Sequence, residues 1–221
     1  MGHATAKAYK GLGMEGFVAR WYAATTLKDL KEHQALARRV ADELPAGAKV
    51  LEVAPGPGYF AIELAKLGGD VTGLDISHTF VEIARRNAAE AGVKVDFQHG
   101  NASQIPFPDS SFDFLLCRAA FKNFSEPVKA LREMHRVLKP GGKALIIDLR
   151  RDAAREAINQ YVDGLKLSRA SALSTKLTFR FMLLKRAYMQ SDFERMIAEG
   201  GFHKFDIGQD LVGLEIRLER E

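Results

Sequence analysis

The spacing of apolar residues changes period several times along this chain, and each change marks an element. Met14, Phe17, Val18 and Trp21 recur at steps of three and four, which predicts a short amphipathic helix with one apolar face and Tyr22 beside it. Leu36, Ala37, Val40 and Leu44 form the stripe of a second helix from about Asp29 to Leu44, ended by Pro45 and Gly47. The period then shortens. Val50, Leu51 and Val53 make a strand over Lys49 to Ala54, a Pro/Gly loop follows, and Phe60, Ile62, Leu64 and Leu67 resume a helix. The unit repeats as strand Val71 to Asp75, a helix capped by Ser77 that carries Phe80, Val81, Ala84 and Ala88 and closes at Gly92, and strand Val93 to Gln98.

After a polar loop from Asn101 to Ser111, Phe112 to Arg118 is apolar nearly throughout, as a parallel strand covered on both faces must be. Ser125 reads as the cap of the next helix, with Pro127 in its first turn. Val128, Leu131, Met134 and Leu138 face inward until Lys139-Pro140-Gly141-Gly142 breaks it ahead of strand Lys143 to Leu149. Two helical stretches, Asp152 to Leu167 and Thr175 to Met189, interrupt the alternation as an inserted cover over about residues 151–190. Ser191 and Glu194 then stand at capping-box spacing before Phe193, Met196 and Ile197, and Gly200-Gly201 closes that helix. Phe205 to Leu211 and Leu214 to Leu218 alternate around Gly213 as an antiparallel pair. The whole predicts an α/β fold: a Rossmann-like, doubly wound, mostly parallel seven-stranded sheet with an antiparallel C-terminal strand and a helical cover. Residues 1–44 read as an N-terminal helical lid and residues 45–221 as the domain it closes.

Composition narrows the function classes. The 221 residues are 47% hydrophobic, enough for one sizeable core, and the net charge of +4 is spread along the chain rather than gathered into blocks that would advertise nucleic acid. Cys117 is the only cysteine, so no internal disulfide can form and a reducing, cytoplasmic setting is expected; in its apolar strand the thiol reads as core. His3, His33, His78, His99, His135 and His203 show no metal-ligand spacing, and no metal is expected. Met1 to Gly16 has no long apolar run, and Gly2 lacks the later hydroxyl residue that lipidation wants, Ala6 standing there instead.

The chemistry is expected in the loop after the first strand, Glu52-Val53-Ala54-Pro55-Gly56-Pro57-Gly58-Tyr59. Its glycines let a ligand approach the backbone, and the following helix offers amide donors. Gly56, Gly58 and Ala61 also satisfy the dinucleotide glycine pattern, so the glycines alone do not choose a ligand. Glu52 does, because a carboxylate there repels a diphosphate and attracts a ligand carrying ammonium and sulfonium charge. Asp75 ends the second strand where an acid can take both hydroxyls of a ribose, Ile76 can cover an adenine face, and Asn101 with Ala102 ends the third strand at the adenine edge.

With Val50-Leu51-Glu52-Val53-Ala54-Pro55-Gly56-Pro57-Gly58, Val71 to Ser77, and Arg136-Val137-Leu138-Lys139-Pro140-Gly141-Gly142, the chain resembles the class I S-adenosylmethionine-dependent methyltransferases over about residues 45–150. It is most similar to their small-molecule branch, which includes ubiquinone and menaquinone biosynthesis enzymes. The resemblance implies S-adenosyl-L-methionine as cofactor, S-adenosyl-L-homocysteine as product, and in-line displacement onto a small-molecule acceptor. It places Glu52, Gly56 and Gly58 near the methionine half, Asp75 at the ribose, and Asn101 with Ala102 near adenine; Ala54, Ile76 and Arg118 complete the expected cofactor-binding set. Two positions depart from the family pattern: Ala54 stands where its first glycine is usual, and Asn101 replaces the commoner aspartate.

Phe121, Lys122, Asn123 and Phe124 follow the fourth strand, a segment that in this family faces the acceptor. Tyr22 and Asn123 are the residues expected to assist or orient it. No Asn-Pro-Pro-aromatic sequence and no Pro-Cys pair stands there, which disfavours nucleic-acid methylation. In Lys176 to Met189, Leu177, Phe181, Leu184 and Tyr188 alternate with Lys176, Arg180, Lys185 and Arg186, which suits a cover helix or a weak membrane-surface contact. The rival readings are a nicotinamide-dependent oxidoreductase and a noncatalytic module of the same fold that docks a partner or a membrane.

Overall fold

The computed structural model describes residues 9–11, 13–165 and 168–221, so Gly2, His3 and Leu167 lie outside the described residues. Seven strands, β1 (Lys49–Val53), β2 (Asp70–Asp75), β3 (Asp96–His99), β4 (Phe112–Arg118), β5 (Leu138–Leu149), β6 (Lys204–Gln209) and β7 (Gly213–Glu219), form one sheet in the order β3-β2-β1-β4-β5-β7-β6. β7 runs antiparallel to both neighbours, and the pairs among β1 to β5 are parallel. The fold is the mixed, doubly wound sheet that the sequence predicts. Strand order reverses between β1 and β4, and sheets of this kind bind ligands at the carboxyl ends beside such a reversal.

Alternation along the strands sorts two cores. Leu51, Val53, Leu115, Cys117 and Ile146 face α5 (Pro127–Val137) and α8 (Gln190–Glu199). Val50, Phe114, Leu116 and Leu145 face α2 (Leu30–Glu43), α3 (Tyr59–Lys66) and α4 (His78–Glu90). Glu52, in register with Val50, therefore points to the α2–α3–α4 side. From the segment expected to be a lid, α2 supplies Leu36, Ala37 and Val40 to this second core, while α1 (Gly16–Thr26) lies on α4.

The root of α1 is stitched to the head of α4. Glu15 accepts from the His78 and Thr79 amides at 2.9 and 3.0 Å, the Gly16 amide donates to Thr79 Oγ1 at 2.9 Å, and Ser77 Oγ donates to the Met14 carbonyl. Ser77 Oγ also accepts from the Phe80 amide, the cap expected of it. This stitching selects the face that α1 buries: Ala19 and Ala23 pack on Phe80 and Ile83, with Met14 and Tyr22 partly covered. The apolar face expected from Phe17, Val18 and Trp21 points outward instead, with Phe17 79% and Trp21 58% exposed. Small alanines allow a close approach that the larger side chains would block.

Other departures are local. Val137, not Leu138, ends α5, because Leu138 opens β5 opposite Phe112. The Lys139-Pro140-Gly141-Gly142 stretch forms an irregularity within that strand rather than a turn before it. Ser125 does not cap α5; its hydroxyl is buried without a partner, and Glu126 holds the cap position. α8 begins at Gln190, where Asp192 rather than Glu194 reaches back to the Met189 amide at 3.0 Å. The cover consists of α6 (Arg155–Gly164), α7 (Arg169–Thr178) and a π turn (Phe179–Leu183), so its second helix starts and ends earlier than the sequence suggests.

Candidate functional site

The loop after β1 alternates conformations. Ala54, Gly56 and Gly58 have φ of 58, 55 and 79°, left-handed at every second residue, with Pro55 and Pro57 between them. Ala54 occupies the left-handed region despite its methyl group, held by its amide's bond to the Leu74 carbonyl at 2.8 Å. Removing that methyl relieves local strain, so Ala54→Gly is expected to stabilise the fold by about 1 kcal/mol in chemical denaturation. Gly58 has no such latitude: a Cβ there meets the Phe97 ring at 2.6 Å. At Gly56 a Cβ meets nothing within 4 Å, so the loop is open on that side.

Three of the amide donors that the sequence reading leaves free at this loop are already engaged. Glu52 Oε2 accepts from the Ala61 amide in the first turn of α3 at 3.1 Å, Asp75 Oδ2 accepts from the Gly56 amide at 2.9 Å, and the Gly58 amide bonds the Pro55 carbonyl at 3.0 Å. Glu52 is buried, and burial pushes its carboxyl up to about 8 against the opposing pull of the Ala61 amide and Arg118. Burial thus favours the protonated carboxyl in the unliganded protein. Burial likewise raises Asp75 to about 6, though the Ser77 and Gly56 amides favour its ionised form. Both acids would ionise more readily beside a cation.

The remaining cofactor candidates gather at neighbouring strand ends. Ile76 is half-buried and its carbonyl meets His99 Nε2 at 3.1 Å, while the His99 ring stacks on His78 at 3.6 Å. Asn101 spends one acceptor site on the Ser103 amide at 2.9 Å, leaving its NH2 group for a ligand, and Ala102 is packed in the core. Arg118 is gripped by α2: its guanidinium donates to Glu32 at 2.7 Å and to His33 Nε2 at 3.1 Å. Arginine only donates, so His33 carries its proton on Nδ1, which is buried with no partner. Burial and Arg118 push His33 down to about 4, so the ring is neutral at physiological pH.

Over these strand ends lie phenols. Tyr22 packs edge-on against Phe80 at 5.8 Å; burial raises its pKa, with lesser effects from Arg118, Asp29, Asp148 and Asp75. Tyr9, which no periodic signal singles out, pairs with Phe124 and feels Tyr22, Asp75 and Asp148. Beneath them Ala119, with φ 58°, bends the chain out of β4. The Ala119 carbonyl accepts from Lys122 Nζ at 2.5 Å, and Nζ also donates to Asp148 Oδ1 at 2.8 Å; both partners are buried. The Lys122 amide adds a bond to Asp148 Oδ2 at 2.8 Å. Asn123, at the end of this turn, is buried and accepts from the Lys10 amide at 2.8 Å through its carbonyl. Sequence reasoning passes over Lys122–Asp148 and Arg118–His33, since each joins residues far apart in the chain. Two shallow grooves, one at the amino ends of β1, β2 and β4 and one along β6–β7, lie away from this crevice.

Residues 51–146 match a family described as a methyltransferase domain. The chain is 41% identical over 107 residues to an uncharacterized methyltransferase, YcgJ, of Bacillus subtilis, covering 48% of this chain and 42% of that protein. It is 42% identical over 106 residues to a demethylmenaquinone methyltransferase of Listeria monocytogenes, covering 46% and 45%. The matched stretch spans less than half the length of these curated relatives. Among solved structures, a candidate S-adenosyl-L-methionine-dependent methyltransferase of Methanococcus maripaludis has a TM-score of 0.75 at 21% identity, covering 100% of this chain and 97% of that one, which shows the fold. The YcgJ structure has a TM-score of 0.56 at 26% identity, covering 86% and 99%.

Proposed function

We propose that this chain, whose residues 51–146 match a methyltransferase domain, is a class I S-adenosylmethionine-dependent methyltransferase that transfers a methyl group to a small-molecule acceptor. The observation that carries this reading is the state of the first loop. A diphosphate needs the amides of a glycine turn and helix head, and here Glu52, Asp75 and Pro55 already hold those of Ala61, Gly56 and Gly58. The same side chains, through lone pairs and donors beyond those bonds, suit an adenosyl amino acid: Asp75 for ribose hydroxyls, Glu52 for the ammonium and sulfonium end, Arg118 for a carboxylate, and the open side of Gly56 for close approach.

S-adenosylmethionine supplies, when bound, a methyl group on sulfonium that an acceptor removes by in-line attack. The chain's own task is alignment and exclusion of water, which can supply roughly 7–11 kcal/mol. Tyr22 offers a phenol donor at the crevice, and Asn123 an amide on the turn that Lys122 pins. The relatives named demethylmenaquinone methyltransferase make ring-bearing acceptors of that kind the first to try.

Calorimetry tests the reading directly. S-adenosylhomocysteine is expected to bind and NADH to leave its isotherm unchanged even at about hundredfold excess. Competition by NADH, or no binding of the homocysteine compound, overturns the assignment. A screen with labelled methyl donor against quinols, phenols, amines and thiols then identifies the acceptor class.

A further inference from the structure

The outward side of the insert lies outside its packed core. Its inward side is packed, with Ile158 and Val162 of α6 meeting Phe179, Leu184 and Val212. A helix that only covers its own domain turns polar residues to water. Here Leu173, Leu177 and Phe181, four residues apart, are 62%, 47% and 52% exposed, and Met182 beside them is exposed as well. The same stretch is acid-free: residues 168–190 hold Arg169, Lys176, Arg180, Lys185 and Arg186 and no Asp or Glu, more positive charge than the net +4 of the whole chain. Lys176 is paired with Asp163 at 2.8 Å and Arg180 lies over the Phe181 ring, while Arg169, Arg180 and Lys185 are exposed.

We propose that this face of the insert docks on an anionic phospholipid surface. Leu173, Leu177 and Phe181 enter the headgroup boundary while Arg169, Arg180 and Lys185 meet the lipid phosphates. An apolar row flanked by cations is what an interfacial helix presents, because each half alone binds weakly and the two act together. A second copy of the chain is a poor occupant, since it sets the same cations opposite these. Nucleic acid would use the charge and leave the apolar row uncovered.

None of these residues belongs to the proposed cofactor set, so the test is independent of the methyltransferase reading. The full chain is sedimented with vesicles of phosphatidylcholine containing about 30% phosphatidylglycerol and, separately, with pure phosphatidylcholine. Partitioning is expected to be about tenfold stronger on the anionic vesicles and to fall as salt rises from about 0.1 to 0.5 M. Leu177→Ser with Phe181→Ser is expected to lower it about fivefold, and Arg180→Glu with Lys185→Glu to abolish the preference for anionic lipid. Both double variants should keep the parental melting temperature, because the inward residues Phe179 and Leu184 are untouched. Equal binding to the two vesicle types, no binding, or variants that bind as the parent does overturn the proposal. So does self-association in sedimentation velocity that the same variants remove.

Discussion

Glu52→Gln is expected to stabilise the unliganded protein in alkaline solution while weakening its hold on S-adenosylhomocysteine. Below about pH 4.5 the carboxyl is protonated in both the folded and the unfolded chain and contributes no difference. Between pH 4.5 and about 8 the unfolded chain ionises while the folded one keeps its proton, so stability is lost as pH rises through that window, and above it the loss is complete. For so buried a group the total is on the order of 3–5 kcal/mol. Asp75, raised from 3.8 to about 6, adds a smaller loss of the same sign. Glutamine keeps the carbonyl that accepts from Ala61 and has no proton to lose. The variant should therefore melt with the parent near pH 4.5 and about 10 °C above it at pH 9. Its affinity should fall on the order of tenfold, since the ligand's ammonium group draws the parent's carboxyl into the ionised form and glutamine cannot follow. Parental binding should accordingly release protons near pH 7, seen as a heat that varies with the buffer's ionisation enthalpy. Equal melting at pH 9, or unchanged affinity, would show that Glu52 neither bears that burden nor meets the ligand.

Lys122→Met should be the most damaging single change near the crevice. Lys122 and Asp148 are both buried, and the pair holds the Ala119 carbonyl where the chain leaves β4 in a left-handed conformation. Removing the ammonium leaves a carboxylate uncompensated in the interior, a loss of about 3–5 kcal/mol. Lys122→Met with Asp148→Leu removes both charges and should recover most of it, because what harms the single variant is the orphaned charge more than the missing bond. Urea titration measures both. A loss under about 1 kcal/mol in the single variant would mean that water reaches the pair.

The sheet was legible because each strand carries its own signal: β4 is apolar on both faces, β1 and β2 are short β-branched runs closed by a Pro/Gly loop or an acid, and the β6–β7 hairpin alternates. Glu52, Asp75 and the glycine loop were legible for the same reason, lying within a few residues of those strands. Contacts between distant segments were not. Nothing near Lys122 announces that Asp148 will be its partner, and nothing near Tyr9 announces that it will cross Phe124. The face of α1 was misread because periodicity finds an apolar stripe without saying what lies opposite, and Glu15 on α4 turns the alanines inward. An acid at the first loop is written in the sequence, but the raised pKa of Glu52 is not, since burial is invisible along a chain.

Ser77 touches Asp75 with its amide and Met14 with its hydroxyl, so one residue serves the proposed ribose acid and the root of α1 together. Whatever frees the amino-terminal arm also strips Glu15 from the head of α4 and disturbs that acid's surroundings. Under the proposed function, entry of an acceptor from that side and tenure of the nucleoside would share one hinge, and binding of the two reactants in a fixed order is the expected kinetic result.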